Sequence, residues 1–392
     1  MSLFLAMLSL TVLRYGAGTL LGLLLLPACK DRVDDAVAPP QPPPVAVVAS
    51  WAARADSAQA ALSQGFWSAE KYYLKNNAGD AGFNYWWQAH GLDVLLDGYQ
   101  RTKNPDYLSR IQQLQAGTKA KNGNTYLNEY YDDMLWQALA NLRAFEVTQD
   151  PGYKATAQLL WTDIKLGWNE QQGGGIAWRK SQLGYKNTPA NAPAAILGAR
   201  LYLLDKNSDD LAWARKIYQW QKQNLVDPAT GQVWDGLNRL GNGQVDKGWY
   251  FTYCQGVYLG AGLALYRATQ QSSYLDDATR TASYVINDSQ LAPGGVLKEE
   301  GGGDGGLFKG ILIRYLAQLA TEPAVAAATR TGYIGFLKFN GESMWKRGTR
   351  RPPSLVGTSW TSPPSGPVDA SAQMSGVMLL EVLADLQARQ LL

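Results

Sequence analysis

Five short polar breaks pair up the helical stretches of this chain, and they constrain its fold more than any other feature. They read Thr102-Lys103-Asn104-Pro105-Asp106-Tyr107, Thr148-Gln149-Asp150-Pro151-Gly152-Tyr153, Asp205 to Asp210, Thr269 to Tyr274, and Thr321-Glu322-Pro323. They recur about every 45–65 residues, carry helix-start residues, and in three of the five place Pro at or near the first helical position. A break this short joins one helix to the next as a hairpin. Helix-period apolar segments number about twelve, near 51–63, 88–101, 105–120, 133–147, 151–166, 189–204, 209–225, 254–268, 273–289, 305–320, 323–340 and 370–390. Twelve helices in six hairpins predict an all-α fold closed into a ring of inner and outer helices, an (α/α)6 toroid. An open helical solenoid satisfies the same periodicity. The small-residue runs Ala190 to Ala199 and Gly256 to Ala264 suit close inner-ring packing.

Composition narrows the function. The 392 residues are 46% hydrophobic, ample for a large core, and the formal net charge is only +3 with no basic block. Nucleic acid is therefore not an expected partner. Two cysteines, Cys29 and Cys254, and one histidine, His90, leave no room for a zinc site, a Cys/His catalytic pair or a disulfide framework. No Gly-rich phosphate loop follows a strand-like run. No metal or organic cofactor is expected. The chain holds 14 Trp and 21 Tyr against 8 Phe. Aromatics with a polar edge suit a carbohydrate cleft, although core filling accounts for most of them. The long stretches between hairpins are rich in Gly and Trp, as in Gly173 to Trp178 and Gly301 to Gly306, and loops of that kind carry function.

Residues 1–28 hold Arg14, the apolar stretch Leu20 to Leu26, and then Pro27-Ala28 before Cys29. This pattern predicts a secretory signal, too short to span a membrane. Leu26-Pro27-Ala28-Cys29 resembles a bacterial lipobox, which implies acylation of Cys29. Simple cleavage after Ala28 is the alternative. Lys30-Asp31 with Asp34-Asp35 resembles surface-export signals of Bacteroidetes lipoproteins. An extended Pro-rich tether fills 29–50, and one globular domain is expected over 51–392. The expected location is the outer membrane or cell surface, with periplasm or medium as the alternative.

Asp132 and Asp133 stand side by side where the aromatic-rich Asn128-Glu129-Tyr130-Tyr131 gives way to a helical pattern. Two carboxyl groups flanked by rings are the minimum equipment for breaking a glycosidic bond. The competing reading is that Asp132 caps the helix and Asp133 sits in its first turn, where the dipole favours negative charge. Consecutive side chains diverge in a strand or a helix, so both reach one sugar most easily at a loop-to-helix junction. A like charge next door raises one pKa and helps to keep one acid protonated.

Several longer phrases decide between these readings. They are Tyr85-Trp86-Trp87-Gln88-Ala89-His90-Gly91-Leu92-Asp93, Tyr131-Asp132-Asp133-Met134, Gly173 to Trp178, and Tyr185-Lys186-Asn187-Thr188-Pro189-Ala190-Asn191. Further on come Phe251-Thr252-Tyr253-Cys254-Gln255-Gly256 and Gly303-Asp304-Gly305-Gly306-Leu307-Phe308-Lys309-Gly310. Over roughly residues 65–385 the chain resembles glycoside hydrolase family 76, the endo-acting α-1,6-mannanases. The resemblance implies an (α/α)6 fold and a retaining mechanism, with Asp132 as nucleophile and Asp133 as acid/base. It also implies substrate contacts from Trp87, Gln88, His90, Tyr130, Tyr131, Trp178, Asn187, Asn191, Tyr253, Gln255 and Asp304. Structural roles compete at many of these positions. Trp86 or Trp87 could fill core, His90 could be a buried hydrogen-bonding residue, and Asn187 or Asn191 could cap a helix. Asp304 could pair with Lys309. Cys254 departs from the family, where Asn is usual before Gln-Gly.

The resulting expectation is a monomeric, lipid-anchored enzyme that cuts internal α-1,6 bonds of mannan. Two alternatives stand beside it: a transglycosylase on the same fold, and a non-catalytic, lipid-anchored glycan-binding protein.

Overall fold

The computed structural model describes residues 49–392. The expected signal, Cys29 and nearly all of the tether lie outside them. Twelve α-helices are present among the described residues: α1 (Trp51–Gly65), α2 (Tyr85–Thr102), α3 (Pro105–Lys121), α4 (Tyr131–Thr148), α5 (Pro151–Lys165), α6 (Thr188–Asp205), α7 (Ser208–Asn224), α8 (Thr252–Thr269), α9 (Ser272–Asn287), α10 (Gly305–Ala320), α11 (Ala327–Lys346) and α12 (Ala370–Ala388). Each even-numbered helix packs on the next, and α12 packs back on α2. That last contact closes the ring and excludes the open solenoid. The fold is an (α/α)6 toroid.

Each of the five breaks makes a hairpin between an inner helix and an outer one. The sixth pair differs from the expectation of consecutive hairpins, because α12 takes α1 from the other end of the domain as its outer partner. The turns after α2 and α4 share one device. At the end of α2, Thr102 Oγ1 donates to Gly98 O at 2.7 Å and accepts from Asn104 N at 3.2 Å. Lys103 takes a left-handed conformation with φ 57°, and Asn104 caps α3 by accepting from Asp106 N at 2.9 Å. Thr148, Gln149 (φ 62°) and Asp150 repeat it between α4 and α5. A turn of so few residues forces the next helix to run back antiparallel along the first.

The inner helices are buried nearly all round, as α6 shows from Thr188 to Ala199. Such helices need small residues where backbones approach. A Cβ on Gly256 would lie 2.6 Å from Leu312 Cα, so α8 and α10 meet at this distance only because the side chain is absent. Outer helices bury one stripe only, and in α9 this is Leu275, Ala278, Ala282 and Val285.

Two elements depart from the sequence reading. Strands β1 (Ala177–Arg179) and β2 (Gln182–Asn187) form an antiparallel hairpin, and β3 (Gly236–Leu237) adds to β2 with Lys186 opposite Leu237. A second small sheet pairs β4 (Thr349–Arg350) with β5 (Leu355–Val356). The sequence reading held no strands. Among the described residues, no helix is long and apolar enough to cross a membrane.

Candidate active site

The N-terminal ends of α2, α4, α6, α8 and α10 converge on one mouth of the toroid, around an open cavity of about 680 Å³. Asp132 and Asp133 occupy the first turn of α4 and line this cavity. The residue at the N-cap is Tyr130, and it makes no side-chain capping bond. Neither aspartate is therefore the cap that the competing reading required.

The two carboxyl groups have different partners. Asp132 Oδ1 accepts from Asp133 N at 3.1 Å, and Asp132 Oδ2 accepts from Trp178 Nε1 at 3.1 Å. The β1–β2 hairpin carries Trp178 there, and its indole packs against Tyr130 at 5.1 Å and Tyr185 at 5.6 Å. Burial raises the Asp132 pKa to about 7, with Asp235 adding to the rise, while its two N–H donors oppose it. Asp133 is pushed well above the usual carboxylate range, first by burial and then by the charges of Asp132 and Asp304. Both shifts are upward, and the N–H donors on Asp132 favour it as the carboxyl group that ionises first.

Two further carboxylates complete the floor. Asp304, just before α10, accepts from Trp86 Nε1 at 3.1 Å and Trp87 Nε1 at 2.9 Å. Asp235 accepts from Tyr185 OH at 3.0 Å and from Tyr253 OH, and the Cys254 thiol lies 3.7 Å away. Burial raises the Asp235 pKa, and the hydrogen bonds from Tyr253, Tyr185 and Cys254 hold it down in part. Among the described residues, no cluster of side chains suits a metal ion.

The residues singled out by sequence divide into two groups. Tyr130, Trp178, Asn187, Tyr253 and Asp304 line the cavity with the aspartate pair. Asn187 also caps α6, accepting from Ala190 N at 3.3 Å. Trp87, Gln88, His90, Tyr131, Asn191 and Gln255 do not line it; all are buried behind its wall. Trp87 acts from beneath by bonding to Asp304. Tyr131 packs its ring over the backbone at Gly167, where a Cβ would meet it at 2.8 Å. His90 lies under Trp86 and Trp136, at 5.4 and 5.0 Å between ring centroids, and burial lowers its pKa to about 4, so it is neutral.

The three amides share one structural task, which corrects their reading as sugar ligands. Each is the fourth residue of an inner helix, and each clasps the backbone of one residue in the preceding loop. Gln88 accepts from Tyr73 N at 2.8 Å and donates to Tyr73 O at 3.1 Å. Asn191 does the same for Ile176, at 2.8 and 3.0 Å, and Gln255 for Val233, at 2.9 and 2.6 Å. Lys309 also departs from expectation. Its ammonium donates to Thr358 O and lies 4.7 Å over Trp360, so it is not the partner of Asp304.

Sequence reasoning missed Asp235, Trp136, Arg239 and Trp249 in the cavity wall. Trp136 follows the acid pair by three and four residues on α4, and helical spacing alone could have found it. Asp235 and Trp249 stand in irregular segments, where no periodicity marks them.

Comparison with known proteins identifies the family. The model of Glycosyl hydrolase family 76 matches residues 50–390. An α-1,6-mannanase of Salegentibacter sp. has been solved as an inactive variant with two consecutive aspartates replaced by asparagine, in complex with α-1,6-mannotriose. It is 43% identical at a TM-score of 0.84, over 86% of this chain and 100% of that one. The Lin0763 protein of Listeria innocua is 39% identical at a TM-score of 0.82, over 87% of this chain and 99% of that one. A mannan endo-1,6-alpha-mannosidase of Candida glabrata is 27% identical over 204 residues, 47% of this chain. The matched region spans 46% of that relative's length. With the family model covering nearly the whole described domain, the chain belongs to glycosyl hydrolase family 76.

Proposed function

We propose that the protein is a retaining, endo-acting α-1,6-mannanase in which Asp132 is the nucleophile and Asp133 the acid/base. The observation that carries this reading is the pair of adjacent carboxyl groups lining an open, aromatic-walled cavity, with two N–H donors bonded to Asp132. Ionised Asp132 attacks the anomeric carbon while Asp133 gives its proton to the departing glycosidic oxygen. The C–O bond breaks as the glycosyl ester to Asp132 forms. Asp133, now a carboxylate, takes a proton from water, and the water oxygen displaces Asp132 from the same anomeric carbon. Two inversions retain configuration. The α-1,6-mannan substrate is supported by the similar mannanase bound to α-1,6-mannotriose.

Incubation with linear α-1,6-mannan tests the reading. Shorter oligosaccharides of initially retained anomeric configuration by NMR are expected. Intact polymer, or an inverted product, overturns it, and lengthened chains would indicate transglycosylation instead. For location, we propose a lipid anchor on Cys29, supported by the lipobox-like Leu26-Pro27-Ala28-Cys29. Cys29→Ala should release active protein from the membrane fraction, whereas soluble wild type with an unmodified N-terminus sinks the anchor.

A further inference from the structure

We propose that Trp249, backed by Arg239, is a specificity-determining platform that binds a sugar unit remote from the scissile bond. The proposal rests on the substrate reading above and deepens it. Trp249 lines the catalytic cavity yet is 43% exposed, and among the described residues it is the one tryptophan left so uncovered. The Arg239 guanidinium lies 4.0 Å over its ring and is itself fixed by Asp246, at 3.1 and 3.3 Å. Phe251 meets the indole at 6.0 Å and 70°. With one face covered by the cation and contact made to Phe251, the exposed area falls on the remaining face. Apolar C–H faces of a pyranose stack on such a surface.

The platform is held rigidly. Trp249 O accepts from Asp235 N at 2.7 Å, and Trp249 N donates to Asp246 O at 2.8 Å. The bridge between Leu237 and Val245 ties the intervening hairpin. The same loop therefore positions both the indole at the cavity's edge and the Asp235 carboxylate on its floor. Between them the rings form a file. Trp249 neighbours Phe251, Phe251 neighbours Phe308 at 5.3 Å, and Phe308 neighbours Tyr253 at 4.3 Å. Tyr253 holds Asp235. A glycan lying along this file reaches Trp249 only with a sugar beyond those at the acid pair.

The test is kcat/KM for wild type, Trp249→Ala, Trp249→Phe and Arg239→Ala over α-1,6-mannooligosaccharides of increasing length. In Trp249→Ala, the gain in kcat/KM with chain length should fall about tenfold, through KM. Trp249→Phe should keep most of the gain, and Arg239→Ala should lose part of it because the ring is no longer backed. Thermal midpoints should stay at the wild-type value, since the indole is at the surface. Equal losses at every length, or none, overturn the platform while leaving the mannanase reading intact. A wild type that cuts none of these oligosaccharides overturns both.

Discussion

At the scale of single residues, the acid pair owes its division of labour to two N–H groups. Asp132 accepts from Trp178 and from the backbone of Asp133, so its charged form is the stabilised one. Asp132→Asn should abolish the attack and leave even an activated aryl mannoside uncut. Asp133→Asn should cost ~10²–10⁴ on mannan. It should spare the first step on an aryl mannoside with a good leaving group, and azide should rescue the second step as a glycosyl azide of retained configuration. Full activity of either variant on mannan would refute these roles. The pH profile adds a sharper check. With the Asp132 pKa raised to about 7, kcat/KM should rise with pH as that proton leaves and fall again when Asp133 ionises. Asp235→Asn removes a like charge and should move the acid limb to lower pH; an unmoved limb would show that Asp235 does not tune the nucleophile. Cys254 is no rival nucleophile. Burial and the charge of Asp235 push its thiol pKa well up, so it is neutral. Cys254→Asn should keep activity, and a fall in kcat beyond about tenfold would contradict that.

Among the elements, hairpins were legible because they are built locally. In the turns after α2 and α4, the Thr, the left-handed residue and the capping Asn or Asp sit within a few positions of one another, as at Thr148-Gln149-Asp150. The acid pair was legible for the same reason, being two consecutive residues at one helix start. The β1–β2 hairpin was not, since Gly184, Lys186 and Asn187 give it little β propensity. What holds it is tertiary: the bond from Lys186 Nζ to Gly175 O at 2.6 Å and the pairing of β2 with β3. Gln88, Asn191 and Gln255 were misread as ligands because each shares a phrase with cavity residues one helical turn away. An amide at the fourth position of a helix serves a loop or a sugar equally well by sequence. Only its partners decide. Gln255→Met therefore tests the clasp directly. It leaves the Val233 N–H and C=O without their buried partner, at roughly 1–3 kcal/mol for each group left unpaired. The urea midpoint should fall accordingly with KM little changed. A raised KM at unchanged stability would instead return Gln255 to the sugar site.

For the whole molecule, the toroid has a polarity that the ring topology imposes. All six inner helices point the same way, so one mouth gathers helix N-termini and the other C-termini. The acids Asp132, Asp133 and Asp304 lie at the first, where the partial positive charge of the helix ends offsets part of the cost of ionising a buried carboxyl group. At the other mouth α2, α4, α6, α8 and α10 each carry an arginine near the C-terminal end: Arg101, Arg143, Arg200, Arg267 and Arg314. Every one has an acidic partner, including Arg101 with Glu381 at 2.7 Å and Arg200 with Glu146 at 2.7 Å. The centre of this network is Asp97, which receives both Arg143 and Arg314, the latter at 2.8 Å. Burial alone would raise its pKa, but the two guanidinium groups outweigh it and draw it down to about 2. A carboxylate depressed in the folded state stabilises the fold above its unfolded pKa near 3.9, and loses that contribution as pH falls toward the folded value. Wild-type stability should therefore decline between about pH 4 and pH 2. Asp97→Asn keeps the shape but removes one of the two carboxylates facing two half-buried cations, leaving Asp93 to both, which should cost about 1.5–3 kcal/mol at neutral pH. Its remaining stability should fall less steeply over the same acid window, because the group that titrates there is gone. Since the network lies at the mouth opposite the acid pair, kcat for folded variant should stay near wild type. An acid limb as steep as the wild type's, measured by urea unfolding at successive pH values, would place the acid sensitivity elsewhere in the fold.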